Sequence, residues 1–200
     1  MESTDWDARY AASPDLVWTG EPNRFVVEEL APLTPGTALD LAAGEGRNAV
    51  WLASNGWQAT AVDFSEVAVV RGRGLAEERA VPVRWEVGDV REYVPPAGAF
   101  DAVLVAYLHL PAVELAGVLG RARAALAPGG TLLVVGHDVA NLTDGVGGPQ
   151  DPGLLYTPDG IVAALDGLQI RRAETVRRPV RIEDRTVDAL DTVVVAARPR

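Results

Sequence analysis

Neither cysteine nor lysine occurs among the 200 residues. The missing thiol excludes disulfides, thiolate metal sites and a cysteine nucleophile together. The missing amine excludes a lysine base or Schiff base, since all 18 basic residues are arginine. Histidine is scarce, with only His109 and His137, so no metal site is expected. No apolar run approaches the roughly 18–20 residues that span a bilayer, and no membrane partner is expected. Met1-Glu2-Ser3-Thr4-Asp5 lacks the basic, apolar and small-residue regions of a signal peptide; a cytoplasmic location is the expectation. Positive charge is also short: a formal net charge of −10 argues against binding a nucleic-acid backbone. One region departs from that average, where Arg171, Arg172, Arg177, Arg178, Arg181 and Arg185 fall close together. It reads as an exposed, charge-protected hairpin near a sheet edge, with a recognition or subunit-contact patch as the alternative.

What is present is an alternation of apolar runs and helical patterns, the form of a doubly wound α/β domain. Residues 37–42, 58–62, 82–87, 99–105 and 131–136 read as successive parallel strands. Helices fall near 47–55, 65–79 and 111–126. The second contains Val69, Val70, Gly72 and Gly74, all poor helix formers, and it should lie away from the chemistry. The third begins with Pro111 and stops at Pro128-Gly129-Gly130. Beyond it, 138–156 is a long Gly/Pro/Asp-rich loop, followed by a short helix near 158–165. Strands 169–177 and 189–197 flank a turn region and should pair antiparallel. Two helices, near 4–11 and 22–30, occupy the N-terminus. The length suits one domain, 1–200, with 1–35 as a helical lid and 36–200 as the core.

In an open parallel sheet, ligands bind beyond the carboxyl ends of the strands. Strand one runs through Asp40 into Ala42-Ala43-Gly44-Glu45-Gly46, then directly into a helix at Arg47-Asn48. The glycines let the chain turn tightly and let a ligand approach, while the helix start offers unpaired N–H groups. Strand two ends in Asp63-Phe64, an acid that can accept from ribose hydroxyls beside a ring that could pack on a base. Strand three ends in Gly88-Asp89-Val90, where a carboxylate could accept from an adenine amino group. Each acid also has a local reading, Asp63 starting a helix with Ser65 and Asp89 capping a turn. Strand four ends in Ala106-Tyr107-Leu108-His109 and strand five in Gly136-His137-Asp138, so both histidines fall on the ligand edge. His109, between leucines, reads as a satisfied core histidine. His137, with Asp138 beside it, reads as a candidate proton acceptor.

These segments resemble class I S-adenosylmethionine-dependent methyltransferases, from about Pro35 to the end. The resemblance rests on the Asp40–Gly46 turn, Asp63-Phe64-Ser65, Gly88-Asp89-Val90, Phe100-Asp101-Ala102-Val103 and Leu126-Ala-Pro-Gly-Gly130. Gly46-Arg47-Asn48-Ala49, with Trp51-Leu52-Ala53 and Gly56-Trp57, is similar to the small tellurite-resistance and thiopurine-like branch. Trp6-Asp7-x-x-Tyr10 and Trp18-x-x-x-Pro22-Asn23 resemble that branch's N-terminal lid. The resemblance implies a Rossmann-like, doubly wound α/β sheet of seven strands, mostly parallel with an antiparallel C-terminal strand. It implies S-adenosylmethionine as cofactor, with Asp40, Gly44 and Gly46 around its methionine part, Asp63 on the ribose and Asp89-Val90 on the adenine. Ala42, Arg47, Asn48, Phe64 and Ala106 complete the expected cofactor surroundings.

The expected acceptor is a small molecule, either a soft sulfur, selenium or tellurium nucleophile or a hydroxyl or amine. Only the latter pair needs a base, for which His137 and Asp138 are the candidates. Trp6, Tyr10, Trp18, Tyr107 and His109 are candidate lid and acceptor contacts. The expected assembly is a monomer or homodimer. A cofactor-binding module without turnover, and a nicotinamide-dependent oxidoreductase, stay open as alternatives.

Overall fold

The computed structural model describes residues 3–200. The apolar runs form a seven-stranded sheet in the order β3-β2-β1-β4-β5-β7-β6. Its strands are β1 (Thr37–Leu41), β2 (Gln58–Asp63), β3 (Arg84–Val87), β4 (Phe100–Ala106), β5 (Leu126–His137), β6 (Gln169–Ile182) and β7 (Arg185–Ala197). The first five pair in parallel, β7 runs antiparallel to β5, and β6 antiparallel to β7. The helices are α1 (Ser3–Ala11), α2 (Arg24–Leu30), α3 (Arg47–Ser54), α4 (Glu66–Glu78), α5 (Ala112–Ala125), α6 (Asn141–Asp144) and α7 (Pro158–Ala163).

Side chains leave a strand on alternate faces, and here both faces are buried. Leu39, Leu41, Val103, Val105, Leu132 and Val134 pack with Leu119 of α5 and Ile161 of α7. Ala38, Ala102, Leu104, Leu133 and Val135 pack on the other face with Phe25 of α2 and Leu52 of α3. Double coverage is why these strands read as continuous apolar runs. The side chains of Asn23, Ser65 and Thr157 cap α2, α4 and α7 by accepting from Phe25, Ala68 and Gly160 amides. Each such cap contributes about 1 kcal/mol. Helix α3 has none: it starts from Gly46 at φ 73° with no side-chain cap.

Three departures from expectation have physical causes. Helix α4 forms despite its glycines, and it abuts the β1–α3 turn instead of lying away from it. A Cβ on Gly72 would stand 2.3 Å from the Trp85 ring, and one on Gly46 would stand 2.1 Å from the same ring. The indole of β3 therefore fills the space of two absent side chains. The C-terminal hairpin is longer than expected, with only residues 183–184 between its strands. Its outer part has water on both faces, so no apolar alternation marks it. Finally, α5 passes directly into β5, whose first residues carry a register shift opposite Phe100/Ala102. The Pro128-Gly129-Gly130 stop is thus an irregular strand entry.

The two glycines of α4 should respond oppositely to alanine. A Cβ on Gly74 would meet nothing within 4 Å, so Gly74→Ala should add about 0.5–1 kcal/mol to unfolding stability. Gly72→Ala should cost about 1–3 kcal/mol, because Trp85 must be displaced. Urea denaturation of the two variants measures both; equal effects would contradict the Trp85 packing.

Candidate active site

Strand order reverses at β1, whose neighbours are β2 and β4, and the carboxyl ends of β1 and β4 are where an open α/β sheet takes its ligand. Each end, one wall of the candidate site, carries a residue in left-handed backbone. Ala42 and Tyr107 both sit at φ 57°, costing roughly 1–2 kcal/mol each for an L-residue. Such strain persists where surrounding structure enforces it, and it concentrates at functional sites.

Beneath the first wall lies Asp40, 1% exposed; neither carboxylate oxygen has a hydrogen bond of ordinary geometry, and the nearby Ala49 amide and the Arg47 guanidinium favour its charge. Burial, reinforced by the charge of Asp63, pushes its pKa up to about 7. Asp63 is also buried. Its oxygens accept from the Gly44 amide at 2.7 Å and the Ser65 amide at 2.9 Å, so the acid of β2 also fixes the glycine turn. Burial raises its pKa despite those bonds. Phe64 follows it, half-buried. Asp89 spends its carboxylate on Arg91, accepting from Nε at 2.8 Å and from the backbone amide at 2.8 Å, and this pairing holds its pKa low. Val90 is buried against β1 and β2 side chains. Arg47 is half-buried beside Tyr107 and Asp40. Asn48 faces away from the turn: its Oδ1 accepts from the Asn23 amide at 2.9 Å.

The N-terminal segment closes over this wall. Tyr10 is buried, and its hydroxyl would stand 2.9 Å from a Cβ on Gly44. Asp7 accepts from Ser65 Oγ at 2.5 Å, at the start of α4. Trp6 stands 5.6 Å from the Tyr10 ring, and the Arg9 guanidinium lies over Trp6 and Trp18 at 4.9 and 5.2 Å. Glu45, within the turn, accepts from the Val17 and Trp18 amides at 3.2 Å each and pairs with Arg71 at 3.1 Å. Arg71 also donates to the carbonyls of Ser13 and Asp15.

On the second wall, beyond Ala106, Tyr107, His109 and His137 come together as expected. The His109 and His137 rings stack with centroids 5.5 Å apart, and Tyr107 lies 5.1 Å from His137. His109 places Nδ1 2.8 Å from the Leu154 carbonyl, so Nδ1 carries the proton; burial lowers its pKa to about 4. The ring is neutral and packed on Tyr156 at 5.2 Å. Asp138 is not brought to the same face. Neighbouring strand residues point oppositely, and its carboxylate accepts from Thr175 Oγ1 (2.8 Å), Thr192 Oγ1 (2.6 Å) and the Ala140 amide (2.9 Å). It anchors the start of loop 138–156. Asn141 holds that loop further, donating to the Val146 carbonyl and accepting from the Leu190 amide. Gly148 of the loop lies on His137, where a Cβ would come within 2.6 Å of the ring.

Reasoning from sequence did not single out Glu45, Arg71 or Asp191, and it read Arg178 only as part of an exposed arginine cluster, whereas its side chain is largely buried against Asp191. Asp191 is fully buried. Its Oδ2 accepts from the Tyr107 hydroxyl at 2.8 Å and Arg178 Nε at 2.5 Å, and its Oδ1 lies 3.4 Å from His137 Nδ1. Burial opposes its charge, yet contacts with His137, Arg178 and Tyr107 hold its pKa below the usual range. A lone acid inside the apolar run 189–197 was the available signal.

Residues 38–130 match a methyltransferase domain. The demethylmenaquinone methyltransferase of Thermus thermophilus is 33% identical over 123 residues, covering 60% of this chain and 54% of that protein. The chain spans about half the length of the curated relatives it matches. A structure of the protein described in conversion of a disulfide bond into a thioacetal group during echinomycin biosynthesis superposes with a TM-score of 0.78. It is 22% identical, over 98% of this chain and 91% of that one. TehB from Haemophilus influenzae superposes with a TM-score of 0.73 at 15% identity, over 98% of this chain and 67% of that one. At these identities the structures speak for the fold alone. Residues 38–130 are thus similar to a methyltransferase domain, and the chain shares the Rossmann-like fold of the structures on which it superposes.

Proposed function

We propose that the chain transfers the methyl group of S-adenosylmethionine to a small-molecule acceptor bound beyond β4 and β5. The observation that carries this reading is the Asp40 carboxylate, buried without a hydrogen bond of ordinary geometry beneath the glycine turn. A buried acid so weakly paired is costly, and a cationic ammonium such as that of a methionine moiety is the complement it lacks. The rest of the wall fits the same ligand: the Tyr10 hydroxyl closes over Gly44, where a Cβ would stand 2.9 Å from it, and Asp63 stands at the end of β2. On this reading Asp40, Gly44 and Gly46 surround the amino-acid part, Asp63 holds the ribose, and Val90 with Phe64 borders the base. Asp89 would share its carboxylate between Arg91 and the adenine amino group.

A sulfonium methyl is already activated, so the chain's main contribution is to align the acceptor and exclude water, worth several kcal/mol. Tyr10, with Trp6 and Trp18 behind it, supplies the cover on the cofactor side. Tyr107, His109 and His137 supply the acceptor wall. The likeness of Gly46-Arg47-Asn48-Ala49 to the tellurite-resistance and thiopurine-like branch supports a small acceptor.

Calorimetry with S-adenosylhomocysteine and, separately, NADH tests the reading. The first should bind and the second should not; NADH binding alone would overturn it. Asp63→Ala should weaken S-adenosylhomocysteine binding about tenfold or more, the loss of one charge-assisted hydrogen bond.

The pH dependence follows from Asp40. Its pKa is raised from 3.8 to about 7 in the fold, so the ligand-free protein loses this group's contribution as pH climbs across that interval. A cationic ligand favours the ionised form. Affinity for S-adenosylhomocysteine should therefore fall as pH drops below about 7, by up to about tenfold per pH unit. Asp40→Asn should flatten that slope; an unchanged slope would remove Asp40 from the ammonium's surroundings.

A further inference from the structure

His137 and Asp191 are directly opposed in the antiparallel β5–β7 ladder, so both side chains leave the sheet on one face. The Asp191 carboxylate is divided between two tasks. Oδ2 is taken by Tyr107 and Arg178 at 2.8 and 2.5 Å. Oδ1 accepts from Arg178 Nη2 and faces His137 Nδ1, each at 3.4 Å, and that imidazole nitrogen is buried with no hydrogen bond of its own. The imidazole is held between the His109 ring, inclined by 19°, and Gly148, which leaves no room for a side chain.

Resting on the methyl-transfer reading above, we infer that Asp191 positions His137 as a general base, and that the acceptor is an acidic hydroxyl of the phenol or enol class. A carboxylate facing Nδ1 fixes the proton there and leaves Nε2 with the lone pair that takes a proton. Catalytic hydrogen bonds are often long before the substrate binds, so a 3.4 Å approach suits a contact that shortens as the imidazole gains charge. Arg178 keeps Asp191 ionised for that purpose. A thiolate or a chalcogen anion requires no base, and such a buttressed imidazole would be idle beside it. An ammonium acceptor would enter between two guanidiniums, Arg178 over the Tyr107 ring at 5.7 Å and Arg47 on its other neighbouring element, α3. Those cations oppose a second cation and favour an oxygen that gains negative charge.

In the step itself, the acceptor oxygen forms the new O–CH3 bond and the sulfonium C–S bond breaks with its electron pair passing to sulfur. The hydroxyl proton goes to His137 Nε2 and then to solvent. The charged and titratable groups facing His137 are Asp191 of β7, Arg178 of β6, and Tyr107 and His109 beyond β4. Asp138, its chain neighbour, turns to the opposite face.

Nitrogen-15 NMR titration of the histidines in the intact protein, with His137→Gln for assignment, tests the pair without requiring turnover. His137 should be protonated on Nδ1 when neutral, and Asp191→Asn should weaken that tautomer preference, read from the two ring-nitrogen chemical shifts. An unchanged tautomer ratio overturns the pairing. S-adenosylhomocysteine affinity of each variant, measured alongside, should match the parent and shows that the fold is intact. Failure of the parent to bind it would instead sink the methyl-transfer reading. Turnover is then compared for 4-methylphenol and 4-methylthiophenol, which differ only in the acceptor atom. Both variants should lower kcat for the phenol about a hundredfold more than for the thiol, with the parent losing phenol activity as pH falls through the His137 midpoint. Thiol methylation without phenol methylation, or no turnover of the phenol, overturns the hydroxyl class.

Discussion

The Glu45 carboxylate is where the sheet, α4 and the N-terminal segment are tied to one another. It sits between the two glycines of the β1–α3 turn and is 3% exposed. A buried acid in that position must be paired, because leaving it alone costs several kcal/mol. Its partners come from two directions: the Arg71 guanidinium from α4, and the Val17 and Trp18 amides from the segment leading to α2. Arg71 then grips the same segment by the Ser13 and Asp15 carbonyls. The turn and the segment leading to α2 are thus held to one another through the Glu45 carboxylate and Arg71. Helix α4 lies close against the turn, since the Trp85 ring occupies the space beside both Gly46 and Gly72.

How far this was legible in the sequence divides along a physical line. Strand ends were legible, because doubly covered strands are apolar runs and a parallel sheet forces its ligand edge to their carboxyl ends. That reasoning put Gly44, Asp63, Asp89, Tyr107, His109 and His137 at the strand ends, and they stand at or beyond the ends of β1 to β5; Asp40, which the resemblance supplied, lies inside β1. Long-range pairing was not legible. Glu45 and Arg71 are 26 residues apart, and nothing in composition joins them. Asp191 becomes partner to His137 only through the register of an antiparallel ladder, which depends on the length of a hairpin whose outer half is solvated on both faces. Asp138 shows the converse. Adjacency in sequence suggested a shared role with His137, but a strand period of two separates neighbours onto opposite faces.

Two buried acids frame the proposed site, and their electrostatic states are opposite. Asp40 lacks a hydrogen bond of ordinary geometry, and burial lifts its pKa towards neutrality. Asp191 has Arg178 and Tyr107 fixed upon it and stays below the ordinary range in spite of burial. An acid of the first kind completes its pairing only when a cation arrives. One of the second kind already carries a stable charge, and it can lend that charge to a neighbour that becomes cationic later, as an imidazole does when it accepts a proton. On the proposed reading, the β1 wall holds a positively charged ligand in its ground state, and the β5–β7 wall meets charge that develops during reaction. Because β4 lies between β1 and β5 in the sheet, the two walls share one edge, and the left-handed turns at Ala42 and Tyr107 set the backbone there.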